Sequence, residues 1–214
     1  MTSRRISRDH PTILLIHGGL WQGDMNADRF WGVTGIVAGI ERAGFTVLAP
    51  NRLPGPSSWI AEVEHLAPCL PGHSVALVAG SNGCSVAVGL ALAFPNRIER
   101  MLLAWPATGG DPLVDARTRA GLAARGASEQ SIRALLDGQT IRGVADSELS
   151  ALTMPVGLLP AVPENSSHQR RTIDTLRRLL PHSEELEGCP EPPLPGFAAH
   201  LDRFLTSVVT FASR

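Results

Sequence analysis

Lysine and tyrosine are absent from this chain of 214 residues, so arginine supplies every one of its 19 basic side chains. Without lysine, neither Schiff-base catalysis nor a lysine-dependent phosphate loop is available. Cysteine is scarce: Cys69, Cys84 and Cys189 are an odd number with no CxxC spacing, which suggests neither a disulfide framework nor a zinc site. Charge of one sign is lacking too. A formal net charge of -1 leaves no basic field for nucleic acid or an anionic membrane, so neither is expected as a partner. Long hydrophobic runs are missing. The N-terminal "MTSRRISRDHPTILLIHGG" offers only "ILLI" before a histidine, too short for a signal peptide or a membrane span. A soluble, cytoplasmic protein is the expectation.

What is present is a core. Apolar residues make up 43% of a chain long enough for a full single domain spanning 1–214. Short, continuous apolar runs flanked by Gly or Pro predict strands at 13–16, 46–49, 75–79, 101–104, 156–159 and, weakly, 185–186. Helical patterns fall between them, over 28–43, 58–70, 82–94, 167–180 and 197–211. Strand alternating with helix predicts an α/β fold: a mostly parallel, doubly wound sheet of about six strands, covered on both faces. Residues 108–152, polar and Arg-rich with about three short helical patterns, interrupt that rhythm. They lack the apolar content for a core of their own and read as a small helical cap insertion.

Within "ALVAGSNGCSVAVGLALAFP" (76–95), a strand turns sharply into a helix with Ser81 at the bend. Ala79 and Gly83 are its small neighbours two residues away. This is the arrangement of a nucleophile elbow, in which a tight turn projects the hydroxyl above the sheet. The plainer alternative is a serine capping an ordinary strand-to-helix turn. Cys84 falls in the first helical turn and is assigned to packing. In "PTILLIHGGLW", a strand ends at His17-Gly18-Gly19, a turn of the type whose backbone N–H forms half of an oxyanion hole.

With "GIERAGFTVLAPNRLPG" and "LALAFPNRIERMLLAWPA", these stretches resemble the α/β-hydrolase superfamily over nearly the whole chain. The chain would be a compact version without the additional leading strands common in that family. The resemblance implies Ser81 as nucleophile, the backbone N–H groups of Gly19 and Asn82 as oxyanion-hole donors, and His17 as a turn-forming residue. No metal or organic cofactor is implied.

The base is harder to find. Ligands bind at the carboxyl ends of strands in such sheets. His10, His73 and His182 precede strands and lie at the wrong edge, and His65 sits in a surface helix. The family places its histidine in the loop after the last strand, but here that loop, "EGCPEPPLPG", has none; Glu187 and Glu191 are its only ionisable residues. His200 follows this loop at the border of the stripe made by Phe197, Leu201, Phe204, Leu205 and Val208, about 60° from Phe197 at helical spacing. It is the preferred base, and His168, at the start of the preceding helix, is the alternative. By resemblance the acid lies shortly after the penultimate strand, which places Glu164 there, with Asp111 as the other choice.

These residues predict a serine hydrolase cleaving a small ester, thioester or lactone. Leu20, Trp21 and Trp105 would line a mostly apolar substrate pocket, while Trp31 and Trp59 pack under helices. Two other readings stay open: a non-hydrolytic lyase, isomerase or cyclase on the same fold, and a catalytically silent ligand-binding protein. The pocket walls come from the least recognisable segments of the sequence.

Overall fold

The computed structural model describes residues 11–214. His10 and the basic stretch before it lie outside the described residues. Six strands, β1 (Thr12–Ile16), β2 (Thr46–Leu48), β3 (Val75–Gly80), β4 (Ile98–Ala104), β5 (Val156–Leu159) and β6 (Ser183–Glu185), form one all-parallel sheet in the order β2-β1-β3-β4-β5-β6. The chain starts at β1, adds β2 on one side, then crosses to place β3 on the other. That reversal opens a crevice above the carboxyl ends of β1 and β3.

The period-two alternation of a strand sorts β1 between two cores. Leu14 and Ile16 join one apolar cluster with α2 (Trp59–Leu66), α3 (Gly83–Ala93) and α6 (Arg170–Leu179). Ile13 and Leu15 join the other with α1 (Ile36–Arg42) and α7 (Leu201–Ala212). Fully burying each such aliphatic side chain contributes roughly 1.5–3 kcal/mol, which makes the sheet a rigid platform for the loops above it. The helix expected over 28–43 is divided. A π-helical turn at Asp28–Gly32 and α1 are separated at Gly35, whose φ of +84° is a left-handed conformation that ends one helix and starts another. The helix expected over 197–211 likewise begins as a 3₁₀ segment, Pro195–His200, before α7.

Residues 108–152 carry α4 (Pro112–Ala124), α5 (Glu129–Leu136) and a 3₁₀ segment at Asp146–Ala151. Leu122, Ile132, Leu135, Ile141, Val144 and Leu149 bury into the same cluster as α2 and α3. Trp59 reinforces that seam by donating its indole N–H to the Leu135 carbonyl at 3.0 Å.

Candidate active site

Ser81 occupies the bend between β3 and α3 with φ +52°, a left-handed conformation that costs a non-glycine residue roughly 1–2 kcal/mol. Its amide donates to the Ala104 carbonyl at 3.0 Å, extending the β3–β4 pairing into the turn. Small residues permit this geometry. A Cβ on Gly83 would stand 2.6 Å from the carbonyl oxygens of both Ile16 and His17, so α3 lies directly against the end of β1. A Cβ on Gly18 would come within 3.0 Å of the Ser81 Cβ. Through these contacts the serine turn and the His17-Gly18-Gly19 turn meet at the crevice. Neither the Gly19 N–H nor the Asn82 N–H has an intramolecular acceptor among the described residues. Cys84 is fully buried, with its thiol aimed at the Ala79 and Ala104 carbonyls, and burial pushes its pKa upward.

The histidine that reaches Ser81 is His168. Its Nε2 lies 2.9 Å from the serine Oγ, and Glu191 Oε2 lies 2.9 Å from its Nδ1. The ring N–H is not aimed squarely at that oxygen, so the second contact is an ion-pair distance rather than an aligned hydrogen bond. Together the partners assign the tautomer: Nε2 accepts from the hydroxyl, and Nδ1 carries the proton that faces the carboxylate.

The loop bearing His168 is tightly tied. Asn165 Oδ1 accepts from the amides of Ser167 (2.9 Å) and His168 (3.1 Å), an Asx turn. Buried Thr108 anchors the same loop: its Oγ1 accepts from the Gln169 amide at 3.0 Å, and its amide donates to the Ser167 carbonyl at 2.8 Å. Glu191 is brought alongside because the loops after β5 and β6 continue the parallel pairing. Cys189 N donates to the Pro160 carbonyl and Val162 N to the Cys189 carbonyl, each at 3.2 Å.

The remaining expected site residues are elsewhere. His200 places its Nδ1 against the Arg203 guanidinium rather than at Ser81, and residues 195–200 form a 3₁₀ segment in place of the expected helical register. Glu164 accepts from the Arg170 amide at 2.8 Å and so neutralises the N-terminus of α6. Asp111 caps α4 through the Val114 and Leu113 amides and pairs with Arg171; those contacts, the Val114 amide foremost, hold its carboxyl below the usual range. Trp105 does not line the cleft. It is fully buried, stacked on Phe204 at 5.1 Å between ring centroids, with Nε1 donating to the Cys189 carbonyl. Leu20 is likewise buried in the core. Trp21 donates to the Pro56 carbonyl and borders a neighbouring, more open hollow.

Glu191 is the functional candidate that sequence reasoning passed over. The available signal was its place in the loop after the last strand, where a histidine was sought. The cleft over Ser81 has a volume of about 330 Å³, with Gly19, Gln22, Met25, Phe30, Asn165 and Leu194 among its walls.

An all-parallel six-stranded sheet with a serine elbow at its switch point defines the α/β-hydrolase fold, and the chain has that fold. Among solved structures it is similar to a meta-cleavage product hydrolase from Pseudomonas fluorescens, with a TM-score of 0.69 and 16% identity over 95% of this chain and 90% of that one. It is also similar to the thioesterase domain from the curacin biosynthetic pathway, with a TM-score of 0.63 and 15% identity over 95% and 92%. A third similar structure is the 2-hydroxy-6-oxo-6-phenylhexa-2,4-dienoate hydrolase from a Rhodococcus species, with a TM-score of 0.65 and 14% identity over 92% and 88%. No family model and no curated protein matches the sequence.

Proposed function

We propose that this chain is a serine hydrolase acting on a small ester, thioester or lactone. The observation that carries the reading is the 2.9 Å contact between Ser81 Oγ and His168 Nε2 at a left-handed elbow. In this scheme His168 removes the hydroxyl proton as Ser81 attacks the substrate carbonyl, and Glu191 steadies the imidazolium that forms. The Gly19 and Asn82 amides receive the developing oxyanion. His168 then protonates the leaving group, and a water activated by the same ring releases the acyl group from Ser81. The hydrolase and thioesterase names of the similar structures support this class of chemistry. The modest cleft volume supports a small acyl portion.

A fluorophosphonate probe tests the proposal. Labelling of the wild-type protein at Ser81, abolished in Ser81→Ala and in His168→Ala while both remain folded, is the expected result. A wild-type protein that neither labels nor hydrolyses p-nitrophenyl acetate or its thioester analogue would remove the hydrolase reading. It would leave a silent binding protein or a non-hydrolytic enzyme on this fold.

A further inference from the structure

Arg52 and Glu62 form an ion pair with almost no solvent exposure, directly behind the His17-Gly18-Gly19 turn. Buried ion pairs are often no more stabilising than apolar residues of similar volume, so the pair's presence is not accounted for by stability alone. Its hydrogen bonds point to a different role. Arg52 Nη1 donates to the carbonyls of His17 at 3.1 Å and Gly19 at 2.8 Å. Its Nε and Nη2 both donate to Glu62 Oε1, at 3.1 and 2.7 Å, which fixes the plane of the guanidinium. The other carboxylate oxygen of Glu62 accepts from the Leu53 amide at 3.2 Å. The Arg52 amide donates to His17 Nε2 at 3.0 Å, leaving His17 Nδ1 to donate to the Gly18 carbonyl at 2.7 Å.

Three successive carbonyls of the turn are therefore held, all through groups that Arg52 touches. In a trans peptide the N–H points opposite to the C=O of the same unit, so holding a carbonyl aims the next amide. The unit that carries the Gly19 N–H is the one whose oxygen His17 grips. Between two glycines, one of them at φ +84°, a peptide flip meets little steric resistance. Such a flip would present a carbonyl to the cleft instead of a donor.

We propose that Arg52, braced by Glu62, is a positioning residue that locks the oxyanion turn with its amides facing Ser81. The inference rests on the serine-hydrolase reading for its catalytic consequence, though not for its geometry. Arg52 does not touch substrate. It acts through His17 and the two glycine peptides, and so belongs to the chemical step rather than to substrate binding.

Two variants test this. Arg52→Lys keeps the charge opposite Glu62 but cannot span both carbonyls and the carboxylate. The paired replacement Arg52→Met with Glu62→Met removes both charges together, so no lone ion is left buried. In each folded variant, kcat for p-nitrophenyl acetate should fall by about 10- to 100-fold, less than the roughly 10²- to 10³-fold cost of removing an oxyanion donor outright because the donor is displaced and not deleted, with KM changed by less than about threefold. Amide resonances of Gly18, Gly19 and Leu20 should shift or broaden. A folded variant with wild-type kcat and unmoved turn resonances would overturn the proposal. A wild-type protein that fails to label at Ser81 would instead overturn the hydrolase reading, and the turn resonances of Arg52→Lys would still decide the geometric part.

Discussion

Glu191 faces His168 from the loop after β6, at 2.9 Å, while His168 itself stands in the loop after β5. The family resemblance leads one to expect the reverse, an acid after the penultimate strand and a histidine after the last. In the proposed triad the base and the acid exchange loops, and the chain order becomes Ser81, His168, Glu191. The exchange is geometrically easy because the two loops run side by side through Pro160, Val162 and Cys189.

Glu191→Gln should therefore leave a folded protein with kcat for p-nitrophenyl acetate reduced by about 10²- to 10⁴-fold and a much smaller change in KM. Glu164→Gln should keep near-wild-type kcat and lower the thermal midpoint slightly, since that side chain accepts from the first amide of α6. Steady-state kinetics of the two variants side by side check the assignment. Equal losses would return the acid to the loop after β5.

His168→Ala should lose as much activity as Ser81→Ala, at least ~10³-fold, and the double variant no more than either, because groups acting as a unit do not add. His200→Ala should retain activity. A labelling-rate comparison across the four proteins reads all of this, and an inactive His200→Ala would require a contact that the structure does not contain.

Ser81→Gly should be more stable than Ser81→Ala, by about 1–2 kcal/mol, because glycine relieves the left-handed backbone and alanine does not. Both are inactive. Urea unfolding of the pair measures the strain in the elbow directly; equal midpoints would mean that the turn relaxes without its serine.

His17 predicts a pH dependence of stability. Burial foremost, with Arg52 beside it, lowers its pKa from 6.5 to about 4, although the Gly18 carbonyl opposes the shift. Between those values the unfolded chain binds a proton that the folded chain refuses. Stability thus rises from pH ~4 to ~6.5 and is flat above, a contribution of roughly 3 kcal/mol at about 1.4 kcal/mol per pKa unit. It is fully present above the unfolded pKa and lost as pH falls toward 4. His17→Asn should flatten that slope in urea titrations at stepped pH; an unchanged slope would assign it to other groups.

Much of the architecture was legible because its signals are local. The short apolar runs mark strands buried on both faces, and the small residues around Ser81 announce the elbow. Helix continuity through Gly35 was not legible, because periodicity sees apolar spacing and not a positive φ. Of the two histidines that the sequence offers as base, His168 rather than the preferred His200 is the one in contact with Ser81. Helical spacing put His200 at the border of a buried stripe, but the 3₁₀ segment ahead of α7 changes the angle per residue. His168 depended on Asn165 and Thr108 folding its loop inward, contacts between segments far apart in sequence. From the sequence, Trp105 is expected in the pocket wall beside Leu20 and Trp21. Only its hydrogen bond to Cys189 and its stacking on Phe204 reveal that it lies beneath the floor.

The shared pairing of the loops after β5 and β6 also makes a natural chemical clock. Cys189 sits within that seam, and burial pushes its thiol up to about 11. At neutral pH the sulfur is neither ionised nor reachable while the seam is closed. Alkylation of Cys189 would then proceed only as fast as the two loops part, with half-exposed Cys69 reacting first. Because the same seam carries His168 on one side and Glu191 on the other, the slow phase of thiol modification would time the separation of the imidazole from its carboxylate, without any substrate present.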